Sequence, residues 1–361
     1  MRPSRYLLAM AAATVLSFAA VWAWVACMPM AYLDPEYPFW RAKQDLLRGC
    51  DLGEVLVLGD SRAAAGIIPS QMPVRTTNLA VGGGKPVEAY AILQRAMNCP
   101  RPPHLVVLSF DATHFMRPDL FWERTVRYGL LDRSDLRDLA RVSEETGDWS
   151  VFNARRSDGL PPGLRIALYA LRVPPLYFAN LLKGGVFLRW WANHERYEAG
   201  LDARGQHHFG TEPGSDGVAL DAGLGSFRPA PVLDRYFGRI LALLADRGIP
   251  AVFVALPVNE ATARAVPASL AADVHAYLVR YAARFPGFRV IGDVLPAWPN
   301  RWFGDGFSHL NPDGSRRFSA WLGACLSQRD GADACAPATA DAPYATRFIH
   351  APAAATASRA F

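Results

Sequence analysis

The chain has 361 residues, and 51% of them are hydrophobic, which is enough for a buried core and too many for a disordered protein. Its formal net charge of +5 is carried almost entirely by arginine, since the only lysines are Lys43, Lys85 and Lys183. The sequence has no dense basic stripe with interleaved aromatic side chains, so it gives nucleic-acid binding little support and fits a protein that lies near an anionic membrane.

The first predicted element is a membrane anchor over residues 1–33. Residues 6–33 contain no charged side chain, and a helix of about 20 apolar residues already crosses the hydrocarbon core. Because Arg2 and Arg5 precede this segment, we expect the N-terminus in the cytoplasm and the rest of the chain on the far side of the membrane. Cleavage as a signal peptide, or lipidation at Cys27, is the alternative to an uncleaved single-pass anchor.

Beyond the anchor, short runs rich in valine and leucine alternate with helical patterns, as in a doubly wound α/β sheet. The runs are almost continuously apolar, which is typical of parallel strands covered on both faces. They are residues 54–59, 76–81, 104–110, 251–257 and 288–294. The helical patterns are residues 86–98, 231–248, 269–285 and 312–328. We therefore predict one α/β domain over residues 34–330.

The alternation is interrupted between about 115 and 230, where helical and loop sequences predict an insertion. Within it, residues 164–191 are strongly apolar, but they carry charges and are broken by Pro174 and Pro175. We therefore expect buried or surface-docking helices there rather than a second membrane span. The alanine- and proline-rich residues 331–361 predict a disordered tail.

Four cysteines follow the anchor, namely Cys50, Cys99, Cys325 and Cys335. Cys50 and Cys99 each precede a predicted strand by about five residues, which places both at the N-terminal edge of a parallel sheet. We predict a disulfide between them, with free buried thiols as the alternative. A Cys325–Cys335 bridge is a second candidate, and an oxidising compartment favours both.

Polar and glycine residues follow the predicted strands at the carboxyl edge of the sheet, where open parallel sheets bind ligands. They are Asp60–Arg62 after the first strand, Gly82–Gly84 after the second, Asp111–His114 after the third, and Asp305, His309 and Asn311 after the last. Each has a plainer interpretation: Asp60 and Ser61 are favoured helix N-caps, and Arg62 is expected to be an exposed residue at a helix start. Their convergence on one edge favours a site.

Together these residues supply the parts of acyl-group chemistry. A serine hydroxyl needs a base to remove its proton, and His309 is the candidate base for Ser61. A carboxylate such as Asp305 orients the histidine ring and stabilises its protonated form. The N–H groups of Ser61 and of the glycine turn are candidates for stabilising the developing oxyanion. His207 and His208 lack the spacing to further ligands that would complete a metal site, so we expect a solvated loop there and neither a metal nor a cofactor.

The motifs resemble those of the SGNH hydrolases. "GDSR" at 59–62 resembles their GDSL-type first block, and "NLAVGGG" at 78–84 is similar to their second block, with Gly83 in the oxyanion-glycine position. "DGFSHLNPDG" at 305–314 resembles their fifth block, which supplies the acid and the base from one loop. The resemblance covers about residues 50–328 apart from the insertion. It implies a flavodoxin-like doubly wound sheet, the SGNH hydrolase fold, and ester hydrolysis or acyl transfer through a serine acyl-enzyme.

Two positions depart from the family pattern. The family's third block ends in Gly-x-Asn-Asp, whereas this chain has "FDATHF" at 110–115, so the asparagine oxyanion donor is absent. Asp111, Thr113 or His114 replaces it, or the site is altered. The family's acid and base are spaced Asp-x-x-His, whereas Asp305 precedes His309 by four residues.

The anchor and the motifs together resemble the membrane-anchored SGNH-like proteins of bacterial polysaccharide O-acetylation, similar to alginate acetylation proteins, which work beside a membrane-bound O-acyltransferase. We therefore expect a periplasmic serine acyltransferase or esterase that acts on acetyl groups of an exopolysaccharide. The expected catalytic residues are Ser61, His309 and Asp305, and the expected oxyanion or substrate-binding residues are Gly82, Gly83, Asp111 and Asn311. The alternatives are a periplasmic esterase or lipase on small esters or lipids, and a non-catalytic scaffold for the acyltransferase.

Overall fold

A parallel sheet positions the site. The computed structural model describes residues 3–153, 160–171 and 186–327. The main sheet contains β1 (Val55–Gly59), β2 (Thr76–Asn78), β3 (Leu105–Ser109), β4 (Ala251–Val254) and β6 (Phe288–Ile291), in the spatial order β2-β1-β3-β4-β6 with every pairing parallel. A separate parallel pair is formed by β5 (Val258–Asn259) and β7 (Ala297–Trp298). The predicted α/β architecture with a parallel sheet is confirmed.

Helices precede and connect these strands in the described part of the chain. They are α1 (Pro3–Cys27), α2 (Pro29–Tyr32), α3 (Tyr37–Arg48), α4 (Ser61–Gly66), α5 (Pro86–Ala96), α6 (Ala112–Met116), α7 (Arg133–Thr146), α8 (Ser150–Asn153), α9 (Pro162–Ala167), α10 (Val186–Asp202), α11 (Pro231–Asp246), α12 (Glu260–Ala265), α13 (Ala268–Arg284) and α14 (Pro312–Ser327). The four helical patterns predicted from the sequence correspond to α5, α11, α13 and α14. The helix α3 lies outside those patterns.

Both faces of the main sheet are buried, as the continuous apolar strands predict. Successive residues of a strand point to opposite faces, and β1 shows this division clearly. Leu56 and Leu58 pack with side chains of α3, α5, α11 and α13, whereas Val55 and Val57 pack with side chains of α4 and α14. Each fully buried valine or leucine side chain stabilises the fold by about 1.5–3 kcal/mol.

The N-terminal helix α1 is long enough and apolar enough to cross a membrane. The window Pro3–Trp24 has a mean hydropathy of 1.9, and none of it is buried inside the structure. At 1.5 Å per residue, the 25 residues of α1 span about 37 Å, which exceeds a hydrocarbon core of about 30 Å. A signal sequence near an N-terminus has the same properties, so cleavage stays an alternative to anchoring.

The predicted disulfide between Cys50 and Cys99 is confirmed, with a separation of 5.5 Å between the two Cα atoms. It ties the end of α3 to the turn that follows α5. Cys335, which is the proposed partner of Cys325, lies outside the described residues, and so does the predicted tail over 331–361.

The insertion leaves the α/β domain and returns to it at one place. The N–H of Ala230 donates to the carbonyl oxygen of Phe115 at 2.9 Å, so the two ends of the insertion are adjacent. Inside it, α7 packs on α11, and α10 packs on α2 and α3. The Asn193 amide of α10 donates to the carbonyl oxygens of Met30 at 2.8 Å and Leu33 at 3.2 Å. Part of the apolar stretch 164–191, for which buried or docking helices are predicted, lies outside the described residues.

Candidate active site

Asp60, not Ser61, caps the helix that follows β1. Its Oδ1 accepts the backbone N–H groups of Arg62 at 2.9 Å and Ala63 at 3.3 Å. Ser61 is the first residue of α4, and its hydroxyl lies 2.8 Å from Nε2 of His309. Because the cap is the preceding residue, the Ser61 hydroxyl is not needed to hold the helix start.

His309 and Asp305 complete a chain of hydrogen bonds with Ser61. Nδ1 of His309 lies 2.5 Å from Oδ2 of Asp305, whose Oδ1 accepts the backbone N–H groups of Phe307 at 2.9 Å and His309 at 3.2 Å. The turn between them includes Ser308 in a left-handed conformation, with φ 62°, so four residues of separation still bring the carboxylate to the ring. The ring of Phe209 stacks on His309 with centroids 4.6 Å apart.

The protonation of this chain follows from its charges. Burial opposes ionisation of Asp305, but its hydrogen bonds to His309 hold the pKa of the carboxyl below its ordinary value. The ionised carboxylate favours the His309 tautomer that carries its proton on Nδ1. Nε2 is then free to accept the Ser61 proton, which is the arrangement that activates a serine.

The glycine turn, Val81–Gly84, lies beside Ser61. Gly83 has φ +70° and lines the same cavity as Ser61, whereas a Cβ at Gly82 would lie 1.8 Å from Oε1 of Glu36. Among the described residues, the N–H groups of Ser61, Gly82 and Gly83 have no hydrogen-bond acceptor. Ser61 and Gly83 line the cavity and Gly82 does not, so the N–H groups of Ser61 and Gly83 are the donors available for an oxyanion.

Two buried lysines hold the backbone around this turn. Nζ of Lys43, from α3, donates to the carbonyl oxygen of Ala80, and Nζ of Lys85 donates to that of Gly83. Burial lowers the pKa of Lys43 to about 7, although the Glu36 carboxylate opposes the shift. Burial likewise lowers the pKa of Lys85. Sequence reasoning missed both roles, because an isolated lysine carries no signal of burial.

Asp111, one of the three residues proposed to replace the missing asparagine, is an acceptor rather than a donor. It caps α6 by accepting the N–H of His114 at 3.1 Å, and it also accepts from the Thr113 hydroxyl and from Nδ1 of His114 at 2.8 Å. Its own N–H donates to Oδ2 of Asp60 at 2.7 Å. Burial opposes its charge, but His114 and Arg62 hold the pKa of Asp111 far below its usual range.

Arg62 is buried, which contradicts the exposed position expected from the sequence. It is 5% exposed and forms a two-point ion pair with Asp221, which is fully buried. Its Nε donates to the carbonyl oxygen of Phe307 at 3.4 Å. Burial alone would lower the pKa of Arg62, but the carboxylates of Asp221 and Asp111 raise it above its ordinary value. The cause of the difference is the insertion, which places Asp221 over the start of α4.

Two other predicted positions have different surroundings from those expected. Asn311 does not line the cavity of Ser61: its amide donates to the carbonyl oxygens of Glu212 at 3.1 Å and Arg301 at 2.9 Å, and its oxygen accepts the N–H of Gly314 at 3.0 Å. It therefore supports the start of α14. His207 is buried and stacks on Phe39 with centroids 4.1 Å apart, so it does not lie in a solvated loop.

A cavity of about 350 Å³ opens over Ser61. Its lining combines the residues predicted from the strand ends with four side chains from the insertion, namely Leu120, Arg124, Phe209 and Leu220. Phe307 and Leu220, at 61% and 56% exposure, present apolar surface there. No motif in the sequence marked these insertion residues.

Among the described residues, Asp60, Asp111 and His114 form the one group that brings three metal-type ligand atoms within 4.8 Å of one another. Hydrogen bonds within the group and to backbone N–H groups account for this arrangement. Neither the scan against protein-family models nor the search of curated proteins found a match to the chain.

Proposed function

We propose that the protein is an SGNH-type serine acyltransferase or esterase, anchored in the inner membrane with its α/β domain in the periplasm, and that it acts on acetyl groups of an exopolysaccharide. The observation that carries the proposal is the hydrogen-bonded chain Ser61–His309–Asp305 at the carboxyl edge of a parallel sheet. A serine, its base and the base's orienting carboxylate in this order form the arrangement of nucleophilic acyl transfer.

The strand order also supports the proposed family. Flavodoxin-like sheets have the order 2-1-3-4-5 and bind ligands at the switch point between their first and third strands. The main sheet has the same order when its strands are counted along the chain, and Ser61 and Asp111 follow the two strands of that switch point.

The geometry supports a two-step reaction. In the first step, His309 removes the Ser61 proton as Oγ attacks the acyl carbon, and the N–H groups of Ser61 and Gly83 bind the resulting oxyanion. Collapse of this intermediate breaks the ester bond, and His309 returns the proton to the leaving oxygen. In the second step, a sugar hydroxyl or water gives its proton to His309 as its oxygen attacks the acyl carbon. The bond between that carbon and Oγ of Ser61 then breaks, and His309 returns the proton to Oγ, which leaves the acyl group on the acceptor and restores the serine.

The experiment that tests the proposal is covalent labelling of the full chain, in detergent micelles, with a fluorophosphonate probe. We expect labelling at Ser61, abolished in Ser61→Ala and strongly slowed in His309→Ala, because the probe reports an activated serine. In cells, Ser61→Ala removes polymer acetylation while the protein is still inserted at normal levels. An unlabelled wild-type protein with an intact fold, or unchanged polymer acetyl content, would contradict the proposal.

A second candidate function, a periplasmic esterase or lipase, is favoured by the apolar surface that Phe307 and Leu220 present at the cavity. Turnover of 4-nitrophenyl acetate separates the two functions. Fast turnover that a polysaccharide acceptor does not accelerate supports the esterase, whereas acceleration together with acetylated polymer supports the transferase. Labelling of Ser61 also counts against the non-catalytic scaffold.

A further inference from the structure

The motif "FDATHF" lacks the asparagine that donates to the oxyanion in the resembling family, yet a donor stands three residues after Asp111. We propose that His114 is the third donor of the oxyanion site and binds the developing oxyanion through its Nε2–H. This inference rests on the proposed function, and it names the group that completes the same site.

The position of His114 follows from the sheet. The strands β1 and β3 are direct neighbours, and Gly59 is paired with Ser109 at their carboxyl ends. The chain after β1 supplies Ser61, and the chain after β3 supplies His114 in the first turn of α6. Both side chains line the active-site cavity, together with Gly83.

The two ring nitrogens of His114 have different surroundings. Nδ1 lies 2.8 Å from Oδ1 of Asp111 and 3.3 Å from Oδ2 of Asp60, so it must carry a proton to face two carboxylates. Nε2 has no hydrogen-bond partner among the described residues. It is also not one of the described polar atoms that are both fully buried and unpaired, so a ligand can reach it. The side chain is 16% exposed, and its cavity is that of Ser61.

The charges around the ring decide whether Nε2 carries a hydrogen. Burial opposes a charged imidazole, but the carboxylates of Asp111 and Asp60 raise the pKa of His114 to about 10. The other groups nearby are the Thr113 hydroxyl, 3.3 Å from Nδ1, and the Arg62 guanidinium, which lies 3.7 Å from the second oxygen of Asp111. At neutral pH both ring nitrogens are therefore protonated, and Nε2 is a charged donor.

The neighbouring residues of the motif do not offer this donor. The ionised Asp111 carboxylate can only accept, and the Thr113 hydroxyl already donates to it. His114 thus gives the site a cationic N–H in place of a neutral amide. A charge-assisted hydrogen bond is roughly twice as strong as a neutral one.

The test compares wild-type protein with His114→Phe, which keeps a ring without a donor, and His114→Gln, which keeps a neutral N–H donor. We measure 4-nitrophenyl acetate turnover and the fluorophosphonate labelling rate of the full chain in detergent. Loss of one oxyanion donor lowers kcat by about 10²–10³-fold. We expect that loss in His114→Phe with little change in KM, and partial recovery in His114→Gln.

The pH profile gives a second readout that a purely structural role would not change. The wild-type labelling rate should fall as the pH rises towards 10, because Nε2 loses its hydrogen, and this decline should be absent in His114→Gln. If His114→Phe does not fold, the profile and His114→Gln decide the question. If the wild-type protein is active and His114→Phe reaches the same turnover and labelling rates, this inference alone is overturned. It is also overturned if His114→Gln has the wild-type rates and the same decline in rate at alkaline pH. If the wild-type protein shows neither labelling nor turnover, the proposed function is overturned together with this inference.

Discussion

Asp60 caps the helix that Ser61, the proposed nucleophile, begins. One of its carboxylate oxygens caps α4 and the other accepts the N–H of Asp111, so a single side chain joins the ends of β1 and β3. Ser61 is left with His309 as its side-chain partner in the described part of the chain. A buried carboxylate with these N–H donors fixes the backbone from which the Ser61 hydroxyl projects.

Asp305→Asn tests the orienting carboxylate. The amide favours the wrong His309 tautomer, so we expect kcat to fall by about 10³–10⁴-fold with the fold retained. The pKa of Asp305 is lowered in the folded state, so its stabilising contribution is present above the unfolded value of about 3.9 and disappears as the pH falls through the lower folded value. Thermal melting should therefore separate variant from wild type at pH 7, and the difference should shrink as the pH falls below about 3.9. A difference that does not change with pH would contradict this assignment.

Single residues show how far the arrangement of these side chains follows from the sequence. That Ser61, His309 and Asp305 lie together was predictable because they follow strand ends, and parallel strands deliver such residues to one edge. Arg62 and Asn311 were not, because their surroundings depend on contacts with Asp221 and Glu212, far away along the chain. A sequence pattern specifies which residues share an edge of the sheet, but not which distant loop covers them.

At the scale of elements, α3 supports the candidate active site. Its Lys43 bonds the carbonyl of Ala80, and Glu36, which precedes it, contacts Gly82 and pairs with Arg124 of the cavity wall. The segment that follows the apolar helix α1 is thereby fixed directly against the glycine turn. We infer that the backbone of this turn keeps its shape through contacts with α3.

Lys43→Met tests this support through the pH dependence of stability. The folded-state pKa of Lys43 is about 7, below the unfolded value of about 10.4, so the unfolded chain binds an additional proton between these values. Stability should therefore rise from pH 7 to pH 10, by up to about 4 kcal/mol from this group alone. Urea unfolding of wild-type and Lys43→Met proteins at both pH values measures the difference. We expect a smaller rise in the variant, with a remainder from Lys85, whose pKa is also lowered. An identical rise would contradict the burial of a titrating Lys43.

At the scale of the whole molecule, the sheet was predictable and the wall of its cavity was not. Continuous valine and leucine runs specify buried parallel strands wherever helices cover both faces, and the five predicted runs contain the five strands of the main sheet. The insertion has no such periodic constraint. Its contribution to the cavity depends on long-range packing between segments such as α7 and α11.

The Cys50–Cys99 bridge is expected to stabilise the whole α/β domain. It closes a loop with a sequence separation of 49 residues, for which loop-closure entropy predicts about 4 kcal/mol. The double variant Cys50→Ala/Cys99→Ala should lose that much free energy of unfolding, measured without reductant so that the wild-type bridge stays intact. The single variant Cys27→Ala, at an exposed free thiol, is the control and should be neutral. A double variant as stable as wild type would show that the bridge does not stabilise the domain.

The hydrogen bond between Ala230 and Phe115 joins the two ends of the insertion that supplies part of the cavity wall, so this part of the wall can be exchanged for another segment. A segment that leaves and rejoins a scaffold at adjacent residues can be replaced by one of another length without disturbing the strands on either side. One condition limits the exchange: Arg62 is buried beneath the present segment, and Asp221 forms its two-point ion pair, while Asp111 lies farther away at 3.7 Å. Any segment grafted in its place must bring a carboxylate to the position of Asp221, because removing one partner of a buried ion pair destabilises a fold by about 3–5 kcal/mol. The proposed choice of acyl acceptor can therefore be altered by exchanging the cavity wall, provided that the ion pair of Arg62 is kept.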